Sequence, residues 1–181
     1  MAWSTPLTAV ANATLTAAQW NASVRDNLNE TAPAKATGAA QIFVSTGANA
    51  IAARAIVTSY VATTETTTST TYADLTTVGP SVTATTGTAA LVFISSRLWT
   101  TATSYVHASF EISGATTSAA LDQKSIAERV AAGNDGSVGG RSGVSWMEAG
   151  LTPGSNTFRM KYRVTSGTGR FDERHMFVIA L

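Results

Sequence analysis

Two hydrophobic periods divide the chain. Between Leu15 and Glu30 the apolar residues Trp20, Val24 and Leu28 recur every fourth position, flanked by Asn21, Arg25, Asp26 and Asn27. That spacing predicts one short amphipathic helix over about 16–29 with a single narrow apolar stripe. Its start is sharply marked. Thr16 is an N-cap with Gln19 three residues on, which makes a capping box, and Leu15 and Trp20 stand at the positions of a hydrophobic staple. A helix this short is marginal in water. It must dock on its own domain, on copies of itself or on a partner.

After the helix, "TAPAKATGAA" (31–40) reads as a linker rich in small residues, Pro and Gly. Ile42 to Val44 and Ile51 to Ile56 then read as two short strands around the turn Gly47-Ala48-Asn49, a hairpin that also needs company to be stable. From about Val57 the period changes to two. Strands are predicted near 56–63, 70–77, 80–86, 89–99, 103–112, 123–131, 142–149, 156–165 and 171–180, with no helical period among them. So many short strands predict an antiparallel β-sandwich of jelly-roll type. Alternation sets Val106, Ala108, Phe110 and Ile112 against Tyr105, His107, Ser109 and Glu111, and Phe158, Met160, Tyr162 and Val164 against Arg159, Lys161 and Arg163. Leu91 to Ile94 and Met176 to Ala180 are apolar on both faces, which calls for a second layer or another subunit. The expected organisation is an N-terminal anchor (1–36), a hairpin neck (37–56) and a sandwich head (57–181).

Composition narrows the function. Charged residues are 13% of the 181, and threonine, at 30 residues, favours strands over helices. The net charge of +1 offers no footprint for nucleic acid or an anionic membrane. There are no cysteines, which excludes disulfides and thiolate chemistry. No apolar run reaches the length of a membrane span, and the start has no signal-peptide pattern, so export by the general secretory route is not expected.

Catalysis has little to stand on. The two histidines are His107 and His175; His107 reads as a solvated or interfacial strand residue with no partner at catalytic spacing. In "FDERH" (171–175) adjacent strand positions face opposite ways, so Asp172 and Glu173 do not make a glycosidase pair; ion pairing with the row Arg159, Lys161, Arg163 is expected instead. That row otherwise reads as a solvated face. "GNDGSVGG" (133–140) has one carboxylate where a calcium loop needs several, and reads as an apical loop. No catalytic, cofactor-binding or metal-ligating residue is assigned. Trp99, Tyr105 and Trp146 are the candidate aromatics for stacking on a glycan, with ordinary core packing as the other reading.

The opening "AWSTPLTAVANATLTAAQWNASVRDNLNETAPAKATGAAQIFVSTGANAIAARAI" resembles the N-terminal region of minor virion proteins of tailed bacteriophages, especially those infecting actinobacteria. A Trp near the start, an "LTAAxxN" helix start, a "VRDNL" helix end and a "TGANAIA" hairpin occur there in the same order. "VGPSVTATTGTAALVFISSRLW" and "AGLTPGSNTFRMKYRVTSGTG" resemble the sandwich that follows in such proteins. This chain differs in carrying Ser4-Thr5-Pro6 where a Gly usually follows the Trp. The resemblance implies a non-enzymatic virion component on the particle surface: a minor tail protein, fibre or head decoration. Threefold assembly would cover both the helix stripe and the hairpin. Trp3, Leu15, Trp20, Val24, Leu28, Ile42, Val44 and Ile51 are the expected anchor and oligomer contacts, with capsid or tail proteins and copies of the chain as partners. The alternative function is a glycan-binding module for adhesion to a host surface.

Overall fold

The computed structural model describes residues 4–8, 10–101, 103–129 and 140–181, together with the backbone but not the side chain of Val130. Trp3 and nearly all of the predicted apical loop lie outside the described residues. The chain divides into two compact units, Met1–Ala55 and Ile56–Leu181.

In the first unit the capping box forms as its sequence requires: the Thr16 hydroxyl accepts from the Gln19 amide, and the Gln19 side chain accepts from the Thr16 amide. The helix that follows is not uniform. An α-helical turn, Ala17–Trp20, passes into a π-helical stretch, Asn21–Arg25, and returns to α at Asp26–Leu28. The predicted linker contains a further helical turn, Ala32–Lys35, begun by Pro33 in its first turn, where a missing amide proton costs nothing. The hairpin pairs β1 (Gln41–Gly47) with the first half of β2 (Ala50–Val61), turning at Asn49 with φ of 56°.

The second unit is a mainly antiparallel β-sandwich. Its strands are the second half of β2, a short β3 (Glu65–Thr67), β4 (Ser81–Thr86), β5 (Ala89–Thr100), β6 (Ser104–Gly114), β7 (Ile126–Val130), β8 (Gly140–Ala149), β9 (Gly154–Val164) and β10 (Gly169–Ala180). One sheet runs β2-β10-β5-β8, with β3 added on β10; the other runs β4-β9-β6-β7. Counted from β2 without β3, these orders are 1-8-3-6 and 2-7-4-5, the paired Greek keys of a jelly roll. The faces predicted by alternation supply the core. Val106, Ala108, Phe110, Phe158, Met160, Tyr162 and Val164 from one sheet meet Val92, Ile94, Leu98, Met176 and Val178 from the other. Each fully buried large side chain there contributes on the order of 2 kcal/mol. Gly114 closes β6 with φ of 105°, where any Cβ would collide with the Ser155 carbonyl.

Four expectations need correction. Residues 70–77 do not form a strand; apart from one bridge, Ala73 to Tyr162, the threonine-rich segment follows the β9 edge irregularly, because it lacks an apolar alternation to bury. It is held by polar contacts instead. The Arg174 guanidinium, fully buried, donates to the carbonyls of Thr63, Thr77 and Gly79 and stacks over Tyr162. The Glu65 carboxylate accepts the Thr77 amide and hydroxyl.

Second, His107 is not solvated. Its strand face is overlaid by the 3-10 turn Asp122–Lys124 and its flanks, which take over the β6 edge where β7 stops. His107 Nδ1 lies 3.3 Å from Ser125 Oγ and Nε2 lies 3.3 Å from Arg163. Third, the basic row pairs with other carboxylates than expected: Arg159 with Glu111, Lys161 with Asp74 and Glu111, and Arg163 with Asp122. Asp172 and Glu173 sit on the other sheet at a β-bulge opposite Arg97–Ser95, where Glu173 has φ of 45° and reaches Arg141. Fourth, the row is therefore an ion-pair lattice, not a solvated face.

Candidate attachment segment and ligand face

The apolar stripe of the helix stays open to solvent. Trp20 is 55% exposed, Leu28 58% and Leu15 47%, while Val24 is half-buried. Leu15 and Trp20 share, with Leu7, Val10 and Val24, a groove of about 350 Å³ on the first unit. The groove exists because the N-terminal arm is fastened to the helix, a feature that composition did not announce. Asn27, 2% exposed, accepts the Ser4 amide at 2.8 Å and donates to the Ser4 and Ser23 carbonyls. The Leu7 amide donates to Ser23 Oγ at 3.0 Å. Asn27 thus satisfies both ends of its amide at one spot and aligns Leu7 beside Trp20. The signal in the sequence was an Asn and a Ser four residues apart on the helix flank, indistinguishable from solvated residues until the arm is seen.

The hairpin residues do not share a face. Ile42 and Val44 oppose Arg54 and Ala52 on one side, whereas Ile51 pairs with Ser45 and lies with the exposed Phe43 on the other. A surface built on all three would have to wrap the hairpin.

The glycan candidates are likewise kept apart. Trp99 is 6% exposed and capped by the Arg170 guanidinium 4.1 Å above its ring. Trp146 turns inward against the core. Tyr105 is exposed, but on the β6 sheet, 6.1 Å from the His107 ring. No shared stacking site results.

The exposed aromatic face lies elsewhere, on the outside of the β2-β10-β5-β8 sheet. Here the two runs that read as apolar on both sides show their second side. Strand register places Ile56, Ile179, Leu91 and Met147 in one cross-strand row, and Thr58, Phe177, Phe93 and Ser145 in the next. Tyr60, His175, Ser95 and Gly143 make the third. The Phe93 and Phe177 rings stack with centroids 4.1 Å apart and 13° between planes. Beside them a depression of about 320 Å³ is lined by Phe93, Phe177, Ser95, Gly143, Ser145 and His175.

The titratable groups of the second unit are mostly engaged with one another. Hydrogen bonding from Arg163, opposed by burial and reinforced by Tyr72, holds the Asp122 carboxyl below its ordinary range. Burial and the neighbouring Arg163 charge push His107 down, against the pull of Asp122. Lys124, 2% exposed, is pushed down by burial, with Glu148 at 3.5 Å pulling the other way. At Glu65 burial works upward, but the Thr77 donors and the Arg174 charge outweigh it and leave the carboxyl lowered. Among the described residues no cluster of three or more His, Asp or Glu is placed to hold a metal ion. No protein-family model matches the chain, and no curated protein matches it.

Proposed function

We propose that this chain is a non-enzymatic structural component of a bacteriophage virion, a homotrimeric surface fibre or decoration protein held to the particle by its N-terminal segment. The observation that carries this reading is the open stripe of Leu15, Trp20 and Leu28 on a helix fastened to its own N-terminal arm. An exposed tryptophan on a pre-ordered segment is what an attachment element requires: large apolar area, and little ordering entropy left to lose on docking. The ordered N-terminal motifs support the phage assignment. The jelly roll supports it by analogy only, since that architecture recurs in capsid and lectin domains. The ion-pair lattice supports a structural role for the head, because its basic row is matched across the sheet by Glu111, Asp74 and Asp122.

The test is assembly. Native mass spectrometry of the purified chain across a concentration series yields a trimer, and deletion of residues 1–36 leaves a folded sandwich that no longer incorporates into particles. A chain that remains monomeric, or a truncated chain that still incorporates, refutes the reading.

A further inference from the structure

We infer that the depression on the outer face of the β2-β10-β5-β8 sheet is a binding site for a hexopyranose ring. The inference goes beyond the proposed assembly role and holds whether or not the chain is a virion component.

A sugar ring is recognised by an aromatic surface for its C–H face and by side-chain donors and acceptors for its hydroxyls. Both are present. The stacked Phe93 and Phe177 rings wall the depression, and the hydroxyls of Ser95 and Ser145 stand beside them. His175 supplies a placed acceptor. The Thr58 hydroxyl contacts both the Met176 carbonyl at 3.1 Å and His175 Nε2 at 2.8 Å. The carbonyl can only accept, so the single hydroxyl proton goes to it, and Thr58 accepts from Nε2–H. In the neutral imidazole Nδ1 is then the lone-pair nitrogen, and it has no partner among the described residues. Ser95 Oγ is approached by Arg141 Nη2 at 3.4 Å, leaving its proton free to donate.

The floor explains why the pocket exists. Position 143, opposite Ser95, is a glycine, and a Cβ there would stand 3.1 Å from the Ile94 carbonyl oxygen and 3.3 Å from Ser95 Cβ. A larger residue would fill the hollow or displace its walls. The rim beyond the depression carries charge of both signs: Arg141 faces Glu173 at 3.5 Å, and Arg97 stands opposite Arg141 in the β5–β8 register.

Size separates this occupant from a second copy of the chain. The three rows, with strands about 4.8 Å apart and outward positions about 6.8 Å apart, cover roughly 400 Å², about half of what one partner contributes to a standard protein interface, and the rows beyond them carry Arg97 and Arg141 at one end and the small Ala89 and Ala149 at the other. The depression of about 320 Å³ is of the order of a small-ligand site.

The experiment is a ¹H–¹⁵N NMR titration of the full chain with methyl glycosides of glucose, galactose, mannose and N-acetylglucosamine at millimolar concentration. At least one of the four should shift the amides of Phe93, Ser95, Gly143, Ser145 and Phe177, leaving those of Tyr105 and Trp99 in place. Ser145→Trp, at an exposed position, should abolish these shifts with unchanged thermal unfolding, and His175→Ala should weaken binding at least tenfold. No site-specific shift with any of the four sugars overturns the inference. So does a response at these amides that follows protein concentration and not sugar, which would assign the face to self-association. Trimer mass, read separately, decides the assembly proposal.

Discussion

Replacing Trp20 by alanine separates an attachment element from a piece of core. The side chain offers roughly 250 Å² of surface, and the residue is 55% exposed in the isolated chain. About 140 Å² is therefore open for a partner to cover, which at about 25 cal/mol per Å² corresponds to about 3 kcal/mol of docking free energy per chain. That is a loss on the order of a hundredfold in affinity for the variant. The fraction already covered serves the groove with Leu7, Leu15 and Val24, so the variant also loosens the first unit slightly. Native mass spectrometry or sedimentation reads the association, and thermal unfolding of the jelly roll provides the internal control. Asn21→Ala, on the flank of the stripe, removes no comparable apolar area and leaves association within a few-fold of the parent. Unchanged association of Trp20→Ala, or a lowered Tm of the jelly roll with association intact, refutes the reasoning.

Other consequences follow from the second unit. Arg174→Met strands three carbonyls, those of Thr63, Thr77 and Gly79, and costs roughly 3 kcal/mol, lowering Tm on the order of 10 °C; an unchanged melt shows that the threonine-rich segment holds itself. Lys124→Met leaves Glu148 without its cation and destabilises, whereas Lys124→Met with Glu148→Leu regains most of the loss; additive Tm changes in the double-mutant cycle would refute a coupled pair. Acid weakens the fold in two stages. His107 is lowered, so the unfolded chain takes up its proton first, and stability declines as pH falls below about 6.5; the lowered carboxyls of Asp122 and Glu65 contribute fully above about pH 4.5 and lose that contribution as pH falls through their folded values. Melting curves from pH 8 to pH 3 show both stages, and His107→Gln removes the first. A fragment beginning at Ile56 unfolds as one cooperative unit by circular dichroism, since its core draws on Val57 and later residues.

The sequence alone determined the parts whose cause is local. Thr16 and Gln19 close a capping box within three residues of each other, so the helix start needed no tertiary information. Asn49 marked its turn because few residues tolerate a positive φ. Alternation sorted Val106, Ala108, Phe110 and Ile112 to the core, because the strand period of two is set by the backbone itself. What lay across strands was closed to such reading. The side opposite Val106 was correctly seen as polar, yet whether His107 met solvent depended on the Asp122 turn, brought over it by a chain reversal. Arg174 looked like one more charge in a polar cluster; a bulge in β10 turned it inward, onto the carbonyls of Thr63, Thr77 and Gly79 and the ring of Tyr162.

The stacking candidates show the same division. Tryptophan was the natural choice for a glycan platform, but burial is decided by which sheet face a position occupies and what crosses it, and both Trp99 and Trp146 fell on covered sides. Phe93 and Phe177 carried the signal of an outward-facing aromatic pair, an apolar residue where alternation called for a polar one. Their pairing at 4.1 Å arises only from the antiparallel register of β5 and β10, residues 84 apart in the chain, and no local pattern encodes which strands become neighbours. The jelly-roll strand order has the same origin: each strand's period is a property of a few residues, while the order of strands is chosen by the burial of all their inner faces at once.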